Sequence, residues 1–547
     1  MKILFLARRY SYFRNYESVI ESLTSRGHQL HLAVERENAE GLPLVTRLAE
    51  ALPGITYGEA PARQPDDWGW LAMRLRHGIE HLRYQHPMYR DTPKLRDRSR
   101  ERTPGFFVGL GEFIRHRATW ARDPAVSLFD WLERAIPPDA GIRSFVEGCR
   151  PDLVLLTPLI GLGSSQIDYL RAARSLGIPT GLAVWSWDHL SSKAIIRDLP
   201  DRVFVWNDTQ RREAVALHHV PESTIVVTGA QCFDRWFGRM PSRDRETLCR
   251  QLGVPPKPFI LYVCSAPFIG SQPEAPWVLD WARRVRASAA PALRDTPIVI
   301  RPHPARRAEW QDVDLSGLGD VVVWGSSPAD PGGAADYFDS LYHSAAVVGL
   351  NTSAFIEAGI VGRPVLTVLL PEWHENQLGT VHFRYLFEAG GGLLISARSF
   401  DEHLAQLDEA LRAPQAVRPF VREFVRPHGL DVPATPIFVA QVEAMQGMAV
   451  APAARPRLES LALWGLRKIL PWRHDERREL LAYAECELDT VRRMRASRQF
   501  KAERERAAKQ ARARERAVRE AARQADLDGH RAAKRAREEA EGRSVAQ

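Results

Sequence analysis

Cysteine is scarce in this chain. Only five occur in 547 residues, Cys149, Cys232, Cys249, Cys264 and Cys486. They are widely spaced and form no CxxC pair. This excludes a disulfide framework and a cysteine-based zinc site, and fits a reducing compartment. Long apolar runs are also missing, so no stretch has the length of a membrane-spanning helix. The opening Met1-Lys2-Ile3-Leu4-Phe5-Leu6-Ala7-Arg8-Arg9 is too short for the apolar region of a signal peptide and reads as a first β-strand. A cytoplasmic location is the expectation. There is no GxGxxG loop for a dinucleotide and no DxD motif at a strand end for a metal, so neither a resident cofactor nor a metal is expected. The net charge of +8 gives little reason to expect nucleic acid as a partner. From Glu476 onward 20 Lys/Arg face 14 Asp/Glu, so most of the excess sits in the tail. That tail carries few base-stacking aromatics.

What is present is ample apolar content, 45%, enough for sizeable cores. The length suits two domains and an extension. Short apolar runs alternate with helical patterns, the rhythm of an α/β fold with parallel sheets. The first series covers 1–240, with strands at 2–7, 28–34, 151–159, 179–185, 202–206 and 224–229. A helical insertion, rich in Trp, Arg and His, is predicted over about 60–145. The Pro/Gly-containing stretch Phe237 to Ser242 reads as a linker. A second series fills 241–450, with strands at 259–265, 297–301, 321–324, 347–350, 365–368 and 392–395. Helical turns at 435–446 are expected to finish that domain. Residues 451–547 form an extension. In it, 458–472 is an amphipathic stretch with Trp and basic residues. It suits docking on the protein or, alternatively, a peripheral contact at the inner membrane face. A charged helical tail follows.

The stretch that organises the rest is Val347 to Gly359. A buried strand ends in Gly349-Leu350, a polar turn Asn351-Thr352-Ser353 follows, and a helix begins. Such a turn aims backbone N–H groups and the positive helix end at a ligand outside the strand's carboxyl end. Glu357, one turn on, is placed to accept ribose hydroxyls. An ordinary βαβ unit with a capping Asn or Thr is the plain alternative. Three further polar clusters follow strands. Arg301-Pro302-His303-Pro304 is a rigid loop offering a guanidinium for a diphosphate and an imidazole for acid–base work. His374 and Asn376 lie in a polar run after the 365–368 strand. Asp188 and His189, within Trp185 to Lys193, are the candidates for positioning or deprotonating an acceptor hydroxyl. The first βα connection holds Arg8, Arg9, Tyr10, Tyr12, Phe13 and Arg14, suited to a ligand with negative groups. Its plain alternative is packed aromatics and solvated arginines.

Two such domains in tandem, with a nucleotide-type turn in the second, resemble the GT-B glycosyltransferases over residues 1–446. The Gly349–Glu357 region also resembles that of UDP-sugar epimerases and polyol-phosphate transferases. The "RPHP" loop is similar to loops of glycerophosphate transferases and capsule-polymer enzymes. The WSWDxL stretch is similar to an element of bacterial glycosyltransferase-like proteins. The resemblance implies a glycosyltransferase of surface-polysaccharide assembly. Its partners would be a nucleotide-sugar donor and a saccharide or lipid-linked acceptor. It further implies that Arg301, His303, Gly349, Asn351, Thr352, Ser353, Glu357, His374 and Asn376 hold the donor without a metal. A glycerophosphate-type transferase and a non-catalytic scaffold of the same fold are the alternatives.

Overall fold

The computed structural model describes residues 1–450 apart from 36–40, 65, 161–164, 268–271, 328–330 and 414–417. All of them belong to one compact unit, Met1–Ile469. The amphipathic stretch 458–472 and the charged tail lie outside the described residues.

Apolar runs bounded by turn residues become two fully parallel sheets. The first contains β1 (Lys2–Ala7), β2 (Gln29–Val34), β3 (Ile55–Glu59), β4 (Leu153–Thr157), β5 (Thr180–Ala183), β6 (Arg202–Val205) and β7 (Ile225–Val227), in the order β3-β2-β1-β4-β5-β6-β7. The second contains β8 (Phe259–Val263), β9 (Ile298–Arg301), β10 (Val321–Val323), β11 (Ser344–Gly349), β12 (Val365–Val368) and β13 (Leu394–Ala397), in the order β10-β9-β8-β11-β12-β13. β1, β4, β8 and β11 are almost wholly buried, as strands covered by helices on both faces must be. Two doubly wound parallel sheets in tandem are the α/β architecture expected from the sequence.

Strand order reverses between β1 and β4 in one sheet and between β8 and β11 in the other. Crevices for ligands open outside the carboxyl ends of such strand pairs. Arg8 to Tyr16 follow β1, and the Gly349–Ser353 turn follows β11.

Two elements differ from expectation. β3 was not anticipated: Ile-Thr-Tyr-Gly-Glu has no apolar run because it is an edge strand buried only at Ile55. The predicted 435–446 helix exists as Ala434–Glu443 but packs on the first sheet, not the second. Phe438, Val439 and Val442 share a core with Phe5, Tyr16 and Phe204. Ser18 meets Thr435 at 2.8 Å, and Arg26 and His28 bind Glu443 at 2.8 and 2.9 Å. The chain therefore crosses back after Val425, whose carbonyl accepts from Ala230 N–H at 2.9 Å.

The insertion is helical, with Asp67–Arg83, Pro93–Arg100, Gly105–Arg117 and Arg122–Arg134. It has its own small core of Ala72, Leu75, Leu82, Phe107, Ile114 and Ile136. It is fixed to the segment after β5 by polar contacts. Tyr84 Oη donates to the Lys193 carbonyl at 2.6 Å, and Glu80 accepts from Ile195 N–H at 2.8 Å. Arg98 donates to the Ser192 carbonyl.

Candidate functional site at the facing strand ends

The turn after β11 is tight because Gly349 has no side chain. A Cβ there would lie 2.8 Å from the Val263 carbonyl and 2.9 Å from the Phe355 ring. Gly349→Ala should therefore push β11 off β8. We expect a loss of about 1–3 kcal/mol of stability from such overpacking, read by thermal melting.

Asn351 is buried, and its side-chain amide donates to the Asn376 carbonyl. Its backbone N–H donates to Ser265 Oγ at 3.1 Å. Asn351 and Asn376 thus brace two loops against each other. Thr352 Oγ1 accepts from Ala354 N–H at 3.3 Å. Ser353 Oγ accepts from Trp187 Nε1 at 3.1 Å, which ties this turn to the segment after β5. His374 sits exposed on the short helical segment Pro371–Asn376.

Glu357 lies in the first turn of the Ala354–Ile360 helix, half-buried. Tyr337 Oη donates to its Oε2. Burial pushes the Glu357 carboxyl up to about 7, offset only in part by the Tyr337 hydrogen bond, Arg14 and Arg301. Arg14 comes from the first domain, so the charge of Glu357 is felt across the cleft. Arg301 lies beneath, its guanidinium 5.0 Å from the Tyr337 ring centre and 5.6 Å from that of Trp324. It donates to the Ser326 and Gly333 carbonyls at 3.1 and 3.3 Å. Gly325 makes room for it: a Cβ there would sit 2.4 Å from Arg301 Nη1. The expectation that Arg301 reaches outward to a phosphate thus meets a buried cation supporting the Tyr337–Glu357 pair. His303 is half-buried, and its Nδ1 accepts from Ala305 N–H at 3.2 Å. That bond assigns the ring proton of the neutral form to Nε2. Burial, with Arg306 nearby, lowers its pKa.

Across the cleft, Asp188 accepts from Ser186 Oγ at 2.7 Å and Ser192 Oγ at 3.1 Å, and pairs with Lys193 Nζ at 3.3 Å. Burial alone would raise its pKa, but Lys193, His382 and the Ser186 hydroxyl prevail and hold it well below the usual carboxylate range. An ionised group so stabilised is a weak base and a good hydrogen-bond acceptor. His189 is only 1% exposed and its Nδ1 accepts from Trp185 N–H at 3.2 Å. Burial takes its pKa down to about 3. The two residues thus divide roles: Asp188 is an anionic acceptor and His189 a neutral brace of the loop.

Sequence reasoning missed His382, on the short His382–Arg384 turn of the second domain. It is buried, packs edge-on against Trp187 with ring centres 4.7 Å apart, and lies within electrostatic reach of Asp188. Its Nδ1 is shielded from water and has no hydrogen-bond partner among the described residues. Tyr337 was missed as well. No local motif marks either, because both acquire their neighbours through tertiary packing. Tyr12 and Trp185 pack with ring centres 4.5 Å apart and planes tilted by 33°, beside the arginines after β1. Among the described residues no carboxylate pairs with Arg8, Arg9 or Arg14. No group of three or more His, Cys, Asp and Glu there is arranged to hold a metal ion.

No protein-family model matches the chain, and no curated protein matches it. Solved structures do resemble it. S. aureus MnaA, solved with UDP, is 12% identical, with a TM-score of 0.48, over 83% of this chain and 99% of that one. A glycosyltransferase from Rickettsia africae is 11% identical, with a TM-score of 0.47, over 82% of this chain and 99% of that one. A UDP-GlcNAc 2-epimerase from Neisseria meningitidis, bound to UDP-GlcNAc, is 13% identical, with a TM-score of 0.47, over 81% of this chain and 100% of that one.

Proposed function

We propose that this chain is a glycosyltransferase. It would move a sugar from a nucleotide-sugar donor to a saccharide or glycoconjugate acceptor in surface-polysaccharide assembly. The observation that carries the reading is the Glu357 carboxyl, held by Tyr337, which packs on Arg301, at the sheet's reversal point and within electrostatic reach of Arg14 from the first domain. A carboxylate there suits the two hydroxyls of a ribose. The backbone amides of the turn and Arg14 suit the diphosphate. As the glycosidic bond to phosphate breaks, negative charge grows on the departing diphosphate, and fixed dipoles and guanidinium groups stabilise it. Asp188 would accept a hydrogen bond from the acceptor hydroxyl and orient it. The Tyr12–Trp185 pair offers an apolar face for a sugar ring. The bracing of the helical insertion onto Ser192–Ile195 supports a separate acceptor side, which a reaction within one nucleotide-sugar does not require.

Thermal shift with UDP, GDP, CDP, ADP and dTDP provides the test. One nucleotide is expected to raise Tm by mass action, and Arg14→Gln to abolish most of that rise. Incubation with the matching nucleotide-sugars then separates the chemistries. Transfer to an added acceptor supports the proposal. Conversion of the donor sugar to an epimer without acceptor replaces it with an epimerase, and no shift with any nucleotide favours a scaffold.

A further inference from the structure

The insertion carries a surface that the cleft chemistry does not use. In the Gly105–Arg117 helix, Phe107, Gly111 and Ile114 face the insertion's own core. The flank of such a helix, about 100° round from the core face, is ordinarily polar or charged. Here it presents Phe106, 70% exposed, and Phe113, 58% exposed, with Gly109 between them. Seven residues bring an α-helix back to nearly the same face, so the two rings form one stripe. Trp120, on the separate turn Thr119–Ala121 beyond the non-helical Ala118, is 80% exposed. Among the described residues only Met240 rivals these three in exposure of a large apolar side chain.

The charge around the stripe is of one effective sign. The last turn of the helix holds Arg115, His116 and Arg117, and Arg100 lies nearby. The helix's one acid, Glu112, already faces Arg100 at 3.5 Å, Arg115 at 3.2 Å and His116 at 3.4 Å. Arg117 is exposed and has no ion pair among the described residues. Large aromatics with flanking cations on one helix face are the chemistry of the boundary between headgroups and acyl chains. The rings enter the boundary while the cations meet anionic headgroups.

We propose that the exposed Phe106–Phe113 stripe, with Trp120 on the turn that follows, docks this protein on an anionic phospholipid surface. The choice of a bilayer over a protein partner rests on the excess of cations over the one acid of this helix, with Arg117 outside any ion pair among the described residues, and on the projecting form of the rings, which line no groove. The same insertion braces the segment after β5, so a docked chain presents its acceptor side from a fixed lipid boundary.

Vesicle co-sedimentation of the full chain tests this, comparing phosphatidylcholine with phosphatidylcholine–phosphatidylglycerol mixtures. The wild type is expected to bind the anionic vesicles and to weaken as salt rises. Phe106→Ser/Phe113→Ser/Trp120→Ser should lower the partition at least tenfold with an unchanged Tm, because these rings are outside the core. Arg117→Gln should lower it severalfold and reduce the salt dependence. Trp464→Ser/Trp472→Ser controls for the amphipathic stretch 458–472. Equal binding by the wild type and the triple variant overturns the proposal, whether the remaining binding follows Trp464 and Trp472 or not. Absence of wild-type binding to any vesicle overturns it too.

Discussion

Glu357→Gln is expected to melt above the wild type at pH 8 and to lose about tenfold or more in nucleotide affinity, the loss of a charge-assisted hydrogen bond. The two effects share a cause. A carboxyl in the unfolded chain titrates near 4.5, whereas burial lifts Glu357 to about 7. Between those values the folded protein holds a proton that the unfolded chain has released. Stability therefore falls as pH rises through this window, and the full cost stands above the folded pKa. The cleft leaves Glu357 partly exposed, so we place the cost at about 1–3 kcal/mol at pH 8. Gln keeps the shape and accepts from Tyr337 without that cost, so the difference in Tm should narrow as pH falls and close only below the unfolded value near 4.5. Nucleotide affinity should run the other way. The ionised carboxylate is the better acceptor for ribose hydroxyls, so wild-type binding strengthens from pH 6 to 8 and the variant's does not. Glu213 supplies the control. It is also lifted to about 7 by burial and accepts from Tyr385. Glu213→Gln should gain stability in the same window with nucleotide affinity unchanged. If Glu357→Gln bound nucleotide as the wild type does, the donor reading would be lost.

The place of Glu357 on its helix was legible from sequence because an apolar strand, a polar turn and one helical turn set it locally; Tyr337, which holds its carboxyl, was not. The same locality explains the success with β1, β4, β8 and β11, whose apolar runs admit no other reading. Legibility stopped where a side chain's destination is set by another element. The prolines of Arg301-Pro302-His303-Pro304 fix the backbone, but Arg301 turns inward because Gly325, after β10, leaves space beside Trp324 and Tyr337. Asn351 looks like a phosphate ligand until the loop ending in Asn376 takes its amide. His382 has no flanking motif, and its relation to Asp188 exists only once the two domains meet. The Ala434–Glu443 helix has the right pattern for a helix, but no periodicity tells which of two sheets it covers.

The largest stability effect is expected away from the cleft, at Asp168→Ala. Asp168 is fully shielded and accepts two hydrogen bonds from Arg76, both at 2.8 Å, and one from Arg63 at 2.8 Å. Arg76 also binds Glu133 at 2.6 Å, Glu133 binds Arg171 at 2.5 Å, and Arg171 binds Asp198 at 2.5 Å. Three guanidinium groups thus meet three carboxylates, joining the Asp67–Arg83 and Arg122–Arg134 helices of the insertion to the Gln166–Ser175 helix of the first domain. Such a balanced network adds little net stability, because desolvation offsets attraction. Removing one member strands buried cations, and that costs about 3–5 kcal/mol. Burial by itself would raise the Asp168 pKa, but Arg76 and then Arg63 and Arg171 lower it below the usual range. Its contribution is therefore present above the unfolded value near 4 and fades as pH falls through the folded value. The gap in Tm between wild type and variant should be widest at neutral pH and narrow below about pH 4. Arg76→Leu/Asp168→Leu should recover part of the loss by removing charge from both sides. A loosened insertion also releases the Ser192–Ile195 segment that it braces. Asp168→Ala should then raise the KM for acceptor while the nucleotide shift persists. An unchanged Tm at pH 7 would mean that these charges are solvated and that the insertion is held by its apolar contacts alone.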